Sequence, residues 1–202
     1  MRRSSCRSFS ELSAAVTWYD FLKFAHIGCA VLWVGGAAMY QFFALRAIAA
    51  GTGERLVALV EDIEWISVRV LIPASLGAFL LGLGLVWNAA FWSLGDDWIV
   101  IGLVLFAVTF LAGFGYFSPE AKRVSKLIEA EGHDSPAVAA RIKRLVVLTR
   151  IDLVILFLLI FDMSVKPAFS DTWTIVGALV AAAALSALLV LPGSRSSAVV
   201  TG

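Results

Sequence analysis

Residues 18–45 read WYDFLKFAHIGCAVLWVGGAAMYQFFAL and are predominantly apolar. An α-helix rises about 1.5 Å per residue and the hydrocarbon core of a bilayer is about 30 Å thick, so about 20 apolar residues cross it. Backbone amides and carbonyls in lipid must bond to each other, which makes a helix the expected structure for such a run. This stretch therefore predicts a membrane-spanning helix.

Four further stretches have the same character, and Trp or Tyr residues lie near most of their ends, as in interfacial belts. The predicted spans are residues 18–45, 66–90, 98–117, 145–165 and 173–191. The sequence thus predicts an all-α, polytopic membrane helix bundle with a four-helix core and a fifth C-terminal span. We expect a disordered leader over residues 1–14, the four-span core domain over residues 15–168, and the fifth span with a short C-terminal tail over residues 169–202.

The composition excludes several other classes of protein. The chain is 60% hydrophobic and 15% charged, with a mean hydropathy of +0.91, whereas soluble domains are about half apolar and about a quarter charged. A net charge of +1 provides no field that would attract nucleic acid. The two cysteines, Cys6 and Cys29, are too few for a disulfide framework or a thiolate zinc site.

The basic residues predict the orientation in the membrane. Lys and Arg are concentrated in the connections between spans one and two and between spans three and four, and basic loops stay in the cytoplasm. We therefore expect the N-terminus outside and the C-terminus in the cytoplasm. The first span is too long for the apolar part of a cleaved signal peptide.

Short helices that do not span the membrane are predicted on the cytoplasmic side. An amphipathic segment begins near residues 52–54. Ser118, Pro119 and Glu120 form a helix-start signal, and Gly132 supplies the end of that helix. A second start signal, Ser135 followed by Pro136, predicts a helix that runs unbroken into the fourth span.

Ionisable residues at membrane depth require a partner or a purpose. Arg69 and Asp152 lie in the first turns of spans that start on the same side. We therefore predict an ion pair between them, with Arg150 nearby. Such a pair is open to two interpretations: a structural pair that fixes the register of the helices, or a site for a substrate or a proton.

His26 lies in the first span on a stripe of residues spaced by three or four. Gly35 and Gly36 follow on the same helix, and small residues either let another helix approach closely or leave space for a flat ligand. An imidazole facing such a space is suited to bind haem iron. The other interpretation is a histidine hydrogen-bonded to a neighbouring helix. The stripe consists of Leu22, His26, Cys29, Trp33, Ala37 and Tyr40.

Several motifs resemble, in order and spacing, a bacterial integral-membrane family known as domain of unknown function 2269. The resemblance covers Tyr19 to Pro167, and the fifth span lies outside it. The motifs are KFAH at residues 23–26 and LWVGG at 32–36, RVLIP at 69–73, RID at 150–152, and DMSVKP at 162–167.

The first-span pattern is also similar to two better-understood families. One is the membrane protoporphyrinogen oxidase family, associated with haem b, and the other is the copper-resistance inner-membrane protein D family. The resemblance implies that His26 is a haem ligand or metal contact, with Lys23 close to it. The spans hold no second histidine, and they offer Met39 and Met163 as thioether donors. A copper pathway needs more soft ligands than this, so copper transfer is the less favoured interpretation.

With the resemblance included, the expected function is that of a haem-b-binding membrane redox or electron-transfer protein that uses a quinone or another redox partner. The haem plane would stand against Gly35 and Gly36, and Lys23 and Lys166 would pair with its propionates. Met163 or His26 of the partner subunit in a homodimer would be the sixth ligand. The alternative is a non-enzymatic membrane scaffold or small transporter. The predicted haem site comprises His26, Lys23, Trp33, Gly35, Gly36, Met163 and Lys166.

Overall fold

The structure, a computed structural model, describes residues 16–50, 53–132 and 135–190. The leader predicted over residues 1–14 and the C-terminal tail from residue 191 lie outside the described residues. Within those ranges every regular element is helical. The α-helices are α1 (Trp18–Ala50), α2 (Gly53–Ile66), α3 (Ile72–Asn88), α4 (Asp97–Ala112), α5 (Ser118–Glu131), α6 (Pro136–Val165) and α7 (Thr172–Val190).

The lengths of the helices confirm the all-α membrane bundle. Helix α6 contains the fourth predicted span and extends from Pro136 to Val165 without a break, but Arg150, Asp152 and Asp162 interrupt its apolar sequence. The chain is a multi-pass integral membrane protein. The helical stretches that are long and apolar enough to cross a membrane are Trp18–Ala49, Val57–Asn88, Asp97–Glu131 and Thr172–Leu189.

Two of these stretches are longer than predicted because short π-helical turns join two α-helices. Ser67–Leu71 joins α2 to α3, and Gly113–Phe117 joins α4 to α5. Pro73 follows the first π turn and Pro119 follows the second. In an α-helix, the ring of a proline crowds the carbonyl of the residue four positions before it. In both cases that residue lies within the π turn. Helix α5 begins at Ser118 and ends before Gly132, as predicted. The wider π turn before it admits Pro119, so the helical stretch continues from α4 without a break.

Helices α1 and α3 pack closely because glycines on α3 face side chains on α1. A Cβ atom on Gly77 would lie 2.8 Å from Cys29 Sγ, and one on Gly82 would lie 3.1 Å from His26 Cε1. Farther along the same interface, Gly36 of α1 faces Leu71, whose Cδ2 would lie 2.6 Å from an added Cβ. The absence of a Cβ at these positions lets the two helices pack closely in lipid.

A hydrophobic cluster joins the end of α1 to α2, α5 and the first half of α6. Glu120 of α5 lies beside this cluster and bonds both to Arg123 of its own helix, at 3.2 Å, and to Arg141 of α6, at 2.9 Å. The amphipathic helices therefore cover one end of the bundle as a packed layer. The cluster consists of Ala44, Ala47, Leu59, Val60, Val124, Val138, Ile142 and Val146.

Both ends of α6 have recognisable caps. Ser135 Oγ accepts a hydrogen bond from the amide of Ala137 at 3.2 Å, which confirms the start predicted at Ser135 and Pro136. At the other end Lys166 adopts the left-handed conformation, with φ of 53°, and its amide donates to the carbonyl of Asp162. Pro167 follows and cannot continue the helix.

Candidate ligand cavity

A cavity of about 690 Å³ lies inside the bundle. Its walls come from α1, from both sides of each π turn, and from α6. Some of its lining side chains, such as Phe43, Val68 and Phe114, are exposed on the outside of the bundle. The cavity therefore opens to the surroundings through an apolar rim, and its volume lies within the range of about 300–1,000 Å³ typical of small-molecule sites.

The polar side of the cavity is built around Gln41. This residue is only 6% exposed, and its Nε2 donates to Thr149 Oγ1 of α6 at 2.8 Å. The Thr149 hydroxyl in turn donates to the carbonyls of Leu145 and Val146, so its oxygen must accept the bond from Gln41. This chain of bonds orients the amide, and Gln41 Oε1 is left buried with no hydrogen-bond partner among the described residues.

Asp152 lies one turn beyond Thr149 on the same face of α6 and also lines the cavity. Its Oδ1 is buried and has no hydrogen-bond partner in the described part of the chain. The hydroxyls of Ser75 and Thr109, which line the cavity as well, donate to backbone carbonyls of their own helices. The buried polar atoms left unpaired on this lining are therefore both acceptors.

An aromatic ladder on α4 borders the cavity. The rings of Phe106 and Phe110 stack with centroids 5.5 Å apart, and those of Phe110 and Phe114 follow at 6.4 Å. Phe79 of α3 stacks on Phe106 at 4.8 Å, and Trp33 of α1 meets the same ring edge-on at 5.6 Å. Trp33, Phe110 and Phe114 line the cavity directly, so an aromatic wall adjoins the polar lining.

The predicted ion pair between Arg69 and Asp152 does not form: no salt bridge joins them in the described ranges. Arg69 lies on the exposed side of the first π turn, and its guanidinium lies over the ring of Trp65 at 4.7 Å. Arg150 points the other way around α6 and donates to the carbonyl of Leu189 on α7 at 3.1 Å. The two residues were predicted at the same depth in the membrane, but their side chains point in different directions.

His26 lies between α1 and α3. Its Nδ1 is 2.7 Å from the carbonyl oxygen of Ala78 and donates to it, and its ring fits beside Gly82. The geometry is that of a histidine hydrogen-bonded to a neighbouring helix, the second of the two interpretations. This bond also leaves Nε2 as the atom available for other contacts.

The residues expected around a haem do not fit the predicted placement of its plane. Leu71 occupies the face of Gly36, and Gly35 is exposed. Met163 packs on α4 against Gly102, whereas His26 packs on α3. Haem binding at His26 stays a prediction, tested by the presence or absence of Soret absorbance in the purified protein.

The two lysines expected to hold the propionates have other neighbours. Lys23 Nζ lies 3.9 Å from Asp20 Oδ1 and 5.0 Å from the ring centre of Tyr19. Lys166 Nζ lies 4.3 Å and 4.9 Å from ring centres of Trp92 and Trp98. Lys23 thus lies beside residues of its own helix, and Lys166 lies beside aromatic rings.

Four polar residues of the cavity were not predicted, because only ionisable groups at membrane depth were expected to need a partner: Gln41, Thr149, Ser75 and Thr109. A signal for one of them was present: Gln41 is an uncharged polar residue inside a predicted span, and such a group also requires a hydrogen-bond partner. A second signal was the spacing by four of Phe106, Phe110 and Phe114, which places their rings on one face of a helix.

The family model described as "Predicted integral membrane protein (DUF2269)" matches residues 20–167. This confirms the resemblance to that family and its extent, while similarity to the protoporphyrinogen oxidase and copper-resistance families stays a prediction. No curated protein and no solved structure matches the chain. The match spans α1 to the end of α6, with the whole cavity lining. Because it covers more than half of the sequence, the chain belongs to this family of predicted integral membrane proteins.

Proposed function

We propose that this protein binds a small amphipathic molecule inside the helix bundle and acts as a small membrane transporter. The observation that supports this proposal is the cavity, with buried unpaired acceptors on Gln41 and Asp152 beside an aromatic wall. Unpaired buried polar atoms are costly, and a ligand that bonds to them removes that cost. The apolar rim at Phe43, Val68 and Phe114 would admit such a molecule from the bilayer.

The orientation proposed for the protein follows from its basic residues. The end of the bundle covered by α2 and α5 carries most of the basic residues of the described core, and cytoplasmic loops are enriched in Lys and Arg. We propose that this end faces the cytoplasm of a bacterial inner membrane, with the N-terminus outside. The basic residues of α5 and early α6 are Lys122, Arg123, Lys126, Arg141, Lys143 and Arg144.

Binding is tested with N-phenyl-1-naphthylamine, a neutral planar fluorophore, added to the protein in lipid nanodiscs. We expect energy transfer from tryptophan to the bound probe that saturates as the probe concentration rises. This signal adds to a non-saturating background from probe that is dissolved in the lipid and not bound to the protein. Ser75→Phe places a ring in the cavity and should abolish the saturable part. Ser164→Phe is the matched control, because Ser164 is exposed on α6 and its hydroxyl also bonds to its own helix.

Thermal unfolding of each variant shows whether it is folded. A non-saturable signal in the folded wild-type protein, or equal saturable signals from the two folded variants, would contradict the proposal. Should Ser75→Phe fail to fold, the smaller substitution Ser75→Leu takes its place, with Ser164→Leu as its control.

A further inference from the structure

The buried part of the cavity lining has a one-sided hydrogen-bonding character, whereas the exposed part includes the donors Arg46 and Arg55. Both of its buried, unpaired polar atoms, Gln41 Oε1 and Asp152 Oδ1, are acceptors. The nearby hydroxyls of Ser75, Thr109 and Thr149 already donate to backbone carbonyls. The Tyr40 hydroxyl, which also lines the cavity, can donate or accept and does not discriminate between ligands.

From this inventory we propose that the cavity selects a planar aromatic molecule whose polar groups donate hydrogen bonds, of the chemical class of an alkylated hydroquinone. The inference rests on the proposed function and specifies its ligand. A hydroquinone offers two hydroxyl donors, whereas the corresponding quinone offers two carbonyl acceptors. The hydroquinone can therefore donate hydrogen bonds to the two unpaired acceptors. The quinone cannot, because its carbonyl oxygens are themselves acceptors.

The two acceptors are connected through Thr149. Gln41 is bonded to Thr149, and Asp152 follows Thr149 by three residues on the same face of α6. One acceptor thus lies on α1 and the other on α6, and Thr149 lies next to both in the lining of the cavity. Because Gln41 is held by its bond to Thr149, its free oxygen is already oriented before a ligand arrives, which reduces the entropy lost on binding.

The aromatic wall favours a ring over an aliphatic chain. Phe110 and Phe114 belong to a stacked ladder and also line the cavity, and aromatic pairs gain stabilisation beyond that of buried area alone. Phe114 is 67% exposed, so the ladder leads from the lipid-facing surface to the interior. An alkyl tail on the ring would remain near this apolar rim.

The experiment compares three compounds of one skeleton: 2-decylhydroquinone, 2-decyl-1,4-benzoquinone and 2-decyl-1,4-dimethoxybenzene. Each is equilibrated with nanodiscs that contain the protein and with empty nanodiscs, and the retained compound is quantified by chromatography. We expect the hydroquinone to bind at least about tenfold more tightly than either of the others, because each hydrogen bond contributes a factor of about five. Equal binding of the hydroquinone and its dimethyl ether would overturn the inference.

A variant of Gln41 tests the assigned acceptor. Gln41→Met keeps the length of the side chain and removes the amide oxygen, so it should weaken hydroquinone binding about fivefold and leave binding of the dimethyl ether unchanged. Thr174→Val on α7, away from the cavity, is the control and should change neither. An equal loss for hydroquinone and ether in the Gln41 variant would mean a structural role and would also overturn the assignment.

The two proposals fail in different ways. If the naphthylamine probe does not bind saturably to the folded protein, then the proposed function is wrong, and so is the ligand class inferred from it. If that probe binds and is excluded by Ser75→Phe, but the three decyl compounds bind equally, then the cavity binds small molecules and the donor selectivity is wrong.

Discussion

Ile142→Ala should lower the free energy of unfolding by about 2–5 kcal/mol, the range found when a buried Ile or Leu is reduced to Ala. Ile142 is 1% exposed and belongs to the cluster that joins α1, α2, α5 and α6. The substitution removes methylene and methyl groups from a fully packed position, and the neighbouring helices are too constrained to close the space. Reversible unfolding in mixed micelles of dodecyl maltoside and SDS measures the change.

Ile160→Ala is the control for this prediction. Ile160 lies on the same helix but is 41% exposed, so its outer surface faces lipid and its truncation leaves a smaller cavity. We expect a loss well below that of Ile142→Ala. Equal losses from the two substitutions would mean that the layer formed by α2 and α5 does not pack on α6 as described.

Gly102→Val should be the second strongly destabilising change. Gly102 is where α4 meets α6: a Cβ there would overlap Met163 Cε and would lie 3.0 Å from Asp162 Oδ2. Overpacking of this kind costs about 1–3 kcal/mol and sometimes more. The loss of folded protein is measured by thermal unfolding and by the monodisperse fraction after solubilisation.

Gly177→Val makes the same chemical change on α7, where nothing lies within 4 Å of an added Cβ. It should cost little, because the new side chain meets no neighbour among the described residues and valine has a higher helix propensity than glycine. Met163→Ala added to Gly102→Val should recover part of the lost stability, because it removes the atom nearest to the new side chain. A double variant no more stable than Gly102→Val would contradict the close contact between α4 and α6.

Much of the fold follows from the sequence because length and apolarity are properties of each segment alone. Five spans were predicted on that basis, and four helical stretches are long and apolar enough to cross a membrane. The cap at Ser135 was predicted from its own start signal and is confirmed. The merging of α2 with α3 and of α4 with α5 was missed, because Ser118 and Pro119 were interpreted as the start of a separate helix and no sequence pattern marks a π turn. Such a turn depends on the packing on both of its sides.

The site was harder to predict because it depends on rotation about helix axes. Arg69 and Asp152 were predicted at the starts of two spans, but Arg69 lies within the stretch Val57–Asn88 and faces outward over Trp65. Asp152 faces a cavity whose lining also includes residues of α1 and α3, which are distant in the sequence. Depth follows from position in a span, but which side chains meet follows only from the packing of all the helices.

The π turn at Ser67–Leu71 also limits how the chain length can vary at this point. A π turn holds one residue more than the α-helical path, and each residue of an α-helix turns the chain by about 100°. Removing a single residue here would therefore rotate the helix before the turn relative to the helix after it. Leu59 and Val60 could then stay in their cluster, or Gly77 and Gly82 could stay against α1, but not both pairs at once. The π turn therefore sets a fixed angle between the face of α2 that packs in the cluster and the face of α3 that packs on α1. The arrangement of helices at the lipid-facing rim thus depends on their arrangement at the basic end.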